Sequence, residues 1–361
     1  MSGWRTAELG TFITLKRGYD LPQQRRIDGE IPIFSSSGIS GFHNEAIVKA
    51  PGVVTGRYGT IGQVFFAETD YWPLNTTLYV EDFHGNDPQF VYYFLKTIEW
   101  KKFTSSSAVP GINRNTVHKE VVVFPDVITQ KAIAEHLALI DKKIEINCKI
   151  NDNLQQQAMT LYASMFLDNP TLETTAGTLK DIADITMGQS PSGSSYNEDG
   201  IGEVFYQGRA EFGYRFPTRR LFTTEPKRMA KAGDVLLSVR APVGDLNVAY
   251  ERCCIGRGLG AIHGRNGHQS FVLYTMFALR PQLDVYNGEG TVFGSINRNT
   301  LNDMPIAIPS DDAIVAFEAV VRPMDDMIRT NYEENCRLQE LRDSLLPRLM
   351  SGEVNVSNID I

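Results

Sequence analysis

The chain has 361 residues, with 35 Lys and Arg against 43 Asp and Glu, and a formal net charge of −8. Such a length suggests two or three domains, and 42% hydrophobic with 22% charged residues excludes a disordered chain. The acidic balance argues against a nucleic-acid partner, which leaves a basic footprint, although net charge is a sum over the chain and binding surfaces are local.

The N-terminal stretch carries Trp4, Arg5 and Glu8 and has no apolar core of signal-peptide type. No apolar run approaches the roughly 20 residues that cross a bilayer. A cytoplasmic location and no membrane partner are therefore expected. Cys148, Cys253, Cys254 and Cys336 form no CxxC motif and read as reduced thiols, mostly core filler, with no metal site.

Residues 1–126 are rich in Gly, Ser, Thr and aromatics, with short β-patterned runs at 31–34, 52–55, 63–66, 77–80 and 121–124 and a helix predicted over 88–102. A long helix is predicted over 127–168. Its seam runs Ile133, Leu137, Ile140, Ile144, Asn147, Asn151, Leu154, Ala158, Leu161, Met165, alternating spacings of four and three. A linker at 169–178, with Pro170 and Gly177, closes it. Residues 179–309 repeat the β-rich character, with runs at 235–239, 246–250 and 305–308 and a helix over 269–279. A second long helix over 310–352 and a tail over 353–361 complete the chain.

The layout is a tandem duplication. Ile112-Asn113-Arg114-Asn115-Thr116 recurs as Ile296-Asn297-Arg298-Asn299-Thr300 at an offset of 184, and the register continues through Asp141/Asp325, Asn147/Asn331 and Leu154/Leu338. Leu9, Phe12, Leu15 and Gly18 match Leu179, Ile182, Ile185 and Gly188 at an offset of 170. The second seam repeats the first with one charged exception, Arg342. Two equal helices can lie antiparallel and cover each other's seams. If Asn147 faces Asn335 and Asn151 faces Asn331, paired numbers sum to 482. Two such Asn layers would fix the helix register at some cost in stability. The fold class is thus α+β: two β-rich domains in tandem repeat, separated by two long antiparallel helices forming a coiled coil.

Enzyme signatures are missing. No Gly-Lys dipeptide supports a Walker loop, no Gly-x-Ser-x-Gly elbow occurs, and Gly256-Arg257-Gly258-Leu259-Gly260 ends its dinucleotide-like run at His263 and reads as a tight turn. A binding protein is the better reading. Residues 206–231 interleave Arg209, Arg215, Arg219, Arg220, Lys227, Arg228 and Lys231 with Tyr206, Phe212, Tyr214, Phe216 and Phe222. Arg forks suit phosphates and guanine edges. The first domain offers Lys16, Arg17 and Arg114, with polar tips at 35–37, 75–77 and 105–107.

Two stretches carry a family resemblance. The first domain runs from Ile31-Pro32-Ile33-Phe34 through Gly38-Ile39-Ser40-Gly41-Phe42-His43 and Thr55-Gly56-Arg57-Tyr58-Gly59 to Asn75-Thr76-Thr77. The second runs from Met187-Gly188-Gln189-Ser190-Pro191 through Gln207-Gly208-Arg209 and Ser238-Val239-Arg240-Ala241-Pro242 to Cys254-Ile255-Gly256-Arg257-Gly258-Leu259. Together with the repeated motif and paired helices, they resemble the specificity subunit of type I restriction–modification systems. The resemblance covers nearly the whole chain.

The resemblance implies two target recognition domains (1–126 and 179–309), each reading one half of a bipartite double-stranded DNA site. The helices set the spacer and dock two methyltransferase subunits, and restriction subunits join the complex. It implies no catalysis or bound cofactor in this chain, with S-adenosylmethionine, ATP and magnesium on partner subunits. Expected DNA contacts are Lys16, Arg17, His43, Arg57, Tyr58 and Arg114 in the first half and Arg209, Tyr214, Arg215, Arg219, Arg220 and Arg298 in the second. Arg57 and Arg240 precede similar glycine turns and are read as equivalents with a possible structural role. Arg114 and Arg298, identical in domains that read different half-sites, suit the DNA backbone or a turn better than a base. The alternatives are a bivalent protein- or carbohydrate-binding scaffold, whose affinity would ignore salt, and an enzyme with a site formed only in space.

By part, the charge is −1 for residues 1–126, −2 for 127–178, +1 for 179–309 and −6 for 310–361. The acidity belongs to the helical parts, which removes the whole-chain objection to DNA.

Overall fold

The computed structural model describes residues 3–104, 110–287 and 294–356. Two compact units emerge, Met1–Asn147 with Glu333–Ile361, and Cys148–Tyr332. The division falls inside both long helices rather than at the expected borders near 126 and 309. Each unit therefore owns one β-rich domain and a segment of each long helix.

The first unit begins β1 (Arg5–Glu8), α1 (Leu9–Phe12), β2 (Thr14–Arg17), β3 (Ile31–Ser35), β4 (Gly38–His43), β5 (Gly52–Gly56), β6 (Val64–Ala67), β7 (Trp72–Pro73) and β8 (Thr77–Asp82). It continues with α2 (Pro88–Thr97), α3 (Arg114–His118), β9 (Val121–Phe124) and the start of α4 (Val127–Tyr162). Strands order as β2-β8-β5-β6 in one sheet and β4-β3-β7 in another, with β1 and β9 forming a two-stranded ribbon. Central β5 is buried at all five positions, as expected of a strand covered on both faces. In β9, Val122 and Phe124 are buried and Val121 and Val123 exposed, the alternation of a half-covered strand.

Helix α2 starts where Asp87 accepts a hydrogen bond from the Phe90 amide at 2.8 Å and Pro88 takes the first turn. It ends at Thr97, short of the predicted 102, because Trp100 turns back to donate its indole N–H to the Leu95 carbonyl at 2.9 Å. The core gathers Leu9, Phe12, Leu15, Val53, Phe90 and Phe94, with Phe12 stacked on Phe124 at 4.3 Å.

The second unit holds the rest of α4, then β10 (Thr174–Thr178), α5 (Leu179–Ile182), β11 (Ala183–Met187), β12 (Tyr196–Asn197), β13 (Glu203–Tyr206), β14 (Leu221–Thr223) and β15 (Met229–Ala230). It continues with β16 (Val235–Ser238), β17 (Leu246–Val248), β18 (Cys253–Ile255), β19 (Leu259–Gly264), α6 (Gln269–Ala278), α7 (Arg280–Asp284), α8 (Arg298–Asn302), β20 (Pro305–Pro309) and the start of α9 (Asp311–Met350). The sheets order as β11-β19-β16-β17 and β12-β14-β13-β18-β15, with a β10–β20 ribbon. The parallel β3–β7 pair of the first unit recurs as β13–β18. The predicted linker at 169–178 is irregular only in its first half: Thr174–Thr178 pairs with Pro305–Pro309, as Arg5–Glu8 pairs with Val121–Phe124.

Within the first unit α4 and α9 run antiparallel. Asn147 Nδ2 donates to Asn335 Oδ1 at 2.9 Å and to Glu334 Oε2 at 2.7 Å, and Lys143 lies 3.1 Å from the same carboxylate. These donors hold the Glu334 carboxyl below its usual range, Asn147 first and Lys143 second. Arg342, the charged exception in the seam, donates to Asp141 at 2.8 Å. Within the second unit Asn331 Nδ2 donates to Asn151 Oδ1 at 2.8 Å. Both Asn pairs are those whose numbers sum to 482.

Among the described residues no helix is long and apolar enough to cross a membrane, and no group of three His, Cys, Asp or Glu could hold a metal ion. Cys253 and Cys254 are buried, and burial above all pushes the Cys253 thiol up to about 12. Cys148, by contrast, is exposed.

Candidate nucleic-acid interface

The repeated Ile-Asn-Arg-Asn-Thr motif divides cleanly by role. Ile112 and Ile296 sit in the cores of their units. Asn113 caps α3, its side chain accepting from the Asn115 amide at 3.0 Å, and Asn297 caps α8 through the Thr300 amide at 3.0 Å. The following Val117 and Leu301 are fully buried. Arg114 and Arg298 open their helices with exposed side chains and no ion pair among the described residues. The fold uses the Ile, the Asn and the apolar residue, and leaves the arginine to solvent.

In the first unit a cleft of about 570 Å³ is lined by Lys16, Arg17, Arg57, Tyr58 and Arg114, with Asn113 and Asn115 at its edge. Residues up to 99 positions apart in sequence thus converge because β2, the turn after β5 and the start of α3 meet. The Arg57 guanidinium lies over the Tyr58 ring at 4.4 Å, and its Nε donates to the Ile112 carbonyl at 3.4 Å. Lys16 is paired with Glu81 at 2.5 Å, and Arg17 is within 4.0 Å of Asp20. The cleft is cationic, cation–π ordered and open, which suits a phosphate-bearing strand.

His43 does not join this cleft. It is 4% exposed, its Nδ1 accepts from the Ile27 amide at 3.1 Å, and its ring meets Trp72 edge-on at 5.4 Å. It is a core histidine, and the expectation of a DNA contact there is withdrawn. The polar tip at 105–107 lies outside the described residues.

In the second unit four of the five arginines of residues 206–231 are ion-paired, most of them with acids from elsewhere in the chain. Arg209 meets Asp245 at 2.5 Å, Arg219 pairs with Glu251, and Arg220 meets Glu211 at 2.7 Å. Arg215 is corrected most clearly. It is 5% exposed, ion-paired with Asp325 on α9, and donates to Gln155 on α4 at 3.2 Å. It clamps its loop to the helices and offers no fork to a base edge. Tyr214 is exposed, in a recess lined by Asp152, Gln155, Met159 and Ala163 of the α4 side. Reading cations along one loop missed the distant carboxylates. The exposed cations of this unit with no ion pair among the described residues are Lys227, Arg228, Lys231, Arg240, Arg257 and Arg298. Of these, Arg240 and Arg257 were read from sequence as turn residues.

The equivalence of Arg57 and Arg240 also shifts by one residue. The Ile112 amide donates to the Arg57 carbonyl at 3.1 Å, and the Ile296 amide donates to the Val239 carbonyl at 3.1 Å. Tyr58 bridges Gly111 as Arg240 bridges Ser295. Arg57 therefore matches Val239, and Arg240 matches Tyr58.

Comparison with known proteins agrees with this arrangement. Residues 1–156 match the type I restriction modification DNA specificity domain. The chain is 28% identical to the putative type I restriction enzyme MjaX specificity subunit of Methanocaldococcus jannaschii, in a match that covers 75% of this chain and 69% of the relative. It is 23% identical to the type I restriction enzyme HindI specificity subunit of Haemophilus influenzae, in a match that covers 74% of this chain and 77% of the relative. The fold matches a crystal structure of the type I restriction–modification system S subunit from M. genitalium with a TM-score of 0.64, at 16% identity and covering 96% of each chain. The duplicated β-rich domains, the paired helices and these likenesses make the chain similar to the specificity subunits of type I restriction–modification systems, with the specificity domain itself matched over residues 1–156.

Proposed function

We propose that the chain reads a bipartite double-stranded DNA site, with one β-rich domain on each half. The α4 and α9 segments set the spacing and receive two methyltransferase subunits. The complex works in the cytoplasm with restriction subunits. S-adenosylmethionine, ATP and magnesium act on those partners, and this chain holds none of them. The observation that carries the reading is the cationic cleft of Lys16, Arg17, Arg57, Tyr58 and Arg114. The exposed Arg298 at the repeated position of the second unit supports it.

The role assigned to Arg114 and Arg298 is contact with the DNA backbone, because domains reading different half-sites keep the same residue there. The test uses the chain assembled with its methyltransferase partners. Arg114→Ala and Arg298→Ala are each expected to weaken binding to matched and mismatched duplexes alike and to lower the salt slope by about 1. Binding that ignores salt in the unaltered complex would favour a protein- or carbohydrate-binding scaffold instead.

A further inference from the structure

Gly18 and Gly188 occupy one position of the repeat, and both are pressed against a carbonyl on a neighbouring loop. A Cβ would come within 2.2 Å of Leu74 O at Gly18 and within 2.1 Å of Gly256 O at Gly188. The next amides repeat the match: Tyr19 N donates to Pro73 O at 2.8 Å, and Gln189 N donates to Ile255 O at 3.0 Å. A third strand joins in each unit. Leu74 N donates to Phe34 O at 2.8 Å, and Gly256 N donates to Tyr206 O at 2.8 Å. Three strand ends thus meet in the same way twice, held by main-chain hydrogen bonds.

The side chains presented at this junction differ in every place. After Gly18 come Tyr19 and Asp20, and after Gly188 come Gln189 and Ser190. After Phe34 comes Ser35, and after Tyr206 comes Gln207. After Leu74 comes Asn75, and after Gly256 comes Arg257. Asp20, Gln189, Gln207 and Arg257 are exposed. Several of these side chains bond within the fold: the Tyr19 hydroxyl meets that of Tyr79 at 3.1 Å, Ser35 closes its own turn onto Gly38 O at 2.9 Å, and Ser190 accepts from the Arg257 amide at 3.2 Å. Asn75 donates to Asp20, which also faces Arg17 at 4.0 Å. Arg257 has no ion pair among the described residues.

The residue types are those that discriminate base edges in the major groove. Arginine forks onto guanine, Gln and Asn pair with adenine, and a carboxylate accepts from cytosine. Neighbouring loops brought together by glycine would present them side by side. A shared main-chain scaffold with different polar tips is what two domains of one design need to read two different sequences.

Resting on the DNA-reading role above, we propose that this junction is the base-reading site of each domain. Gln189, Gln207 and Arg257 read one half-site, and Asp20 and Asn75 read the other. The ion-paired Arg209, Arg219 and Arg220 do not set the sequence.

The test maps the sequence methylated by the assembled complex, with thermal unfolding as the control for folding. Arg257→Ala and Gln207→Ala are each expected to relax one position of one half-site by ~10- to 100-fold, leaving the other half-site as it was. Asn75→Ala is expected to relax the other half-site alone. Gln189→Ala, at an exposed side chain, serves where one of the others fails to fold. An unaltered complex with a clear bipartite preference whose variants keep the full sequence overturns the assignment, as does an equal loss on every sequence. An unaltered complex with no sequence preference overturns the DNA-reading role itself, and this assignment with it.

Discussion

The Tyr93 hydroxyl donates to the Asp141 carboxylate at 2.7 Å, tying α2 to α4 in the first unit. The second unit repeats the tie between α6 and α9, where Tyr274 donates to Asp325 at 3.0 Å. Each β-rich domain is fastened by one tyrosine to the long helix that follows it in the chain. The third member differs. Asp141 takes Arg342 of α9, and Asp325 takes Arg215 of the domain loop.

Removing the carboxylates therefore has unequal effects. Arg215 is more deeply buried than Arg342, with side-chain exposures of 5% and 22%. Asp325→Ala leaves a buried guanidinium without its counter-charge, for which about 3–5 kcal/mol is expected. Asp141→Ala leaves a partly solvated one that still pairs with Asp343 at 2.8 Å, and a loss of about 1–3 kcal/mol is expected. Denaturant unfolding of the two variants checks the order, and an equal loss would contradict it.

The Asn layers make a double-substitution prediction. Asn331→Leu alone strands the buried Asn151 side-chain carbonyl and is expected to lower stability by about 1–3 kcal/mol. Asn151→Leu with Asn331→Leu removes both polar groups, and stability is expected to return to or exceed that of the parent. A pair as unstable as the single variant would show that the layer stabilises the fold rather than only fixing its register.

His118 supplies a pH dependence. Its Nε2 accepts from the Leu15 amide at 2.9 Å, so the ring is held neutral on that side. Burial first, then the charges of Arg114 and His84, hold its pKa below the usual 6.5. The unfolded chain therefore binds the proton more readily than the folded one. Stability is full above about pH 6.5 and falls as pH drops from there through the folded value. His118→Gln, which keeps an acceptor without the titration, is expected to flatten the change in thermal midpoint between about pH 7.5 and 5.5. A slope unchanged in the variant would assign the effect to another group.

The repeat, both long helices and eight of the strands were legible in the sequence because each rests on local pattern: a period of seven, a period of two, or a letter-for-letter recurrence. Even the pairing of Asn147 with Asn335 follows from the symmetry of a duplicated seam. The site was less legible, for a physical reason. Arg215 and Arg220 stand in the same loop as Lys227 and Arg228, and only the fold reveals that Asp325 and Glu211 have claimed the first two. His43 reads from the sequence as a DNA contact because its apolar neighbour Trp72 lies far along the chain and does not show in the local sequence. Arg257 looked like part of a turn, which it is, and the turn is what exposes it. By contrast Lys16, Arg17, Arg57, Tyr58 and Arg114 do share one cleft. Their convergence depends on β2, β5 and α3 meeting, which no single stretch of sequence records.

The junction of Gly18 with Leu74, and of Gly188 with Gly256, is fastened mainly by main-chain amides and carbonyls. Every amino acid but proline carries those groups. An exchange of Gln189, Gln207 or Arg257 therefore leaves the fastening intact, and folding imposes little penalty on trying a new residue there. Inheritance of the architecture and innovation in what it recognises are uncoupled at these positions. On the proposed base-reading role, a lineage carrying this chain could change its target by a handful of codon changes without first acquiring spare stability.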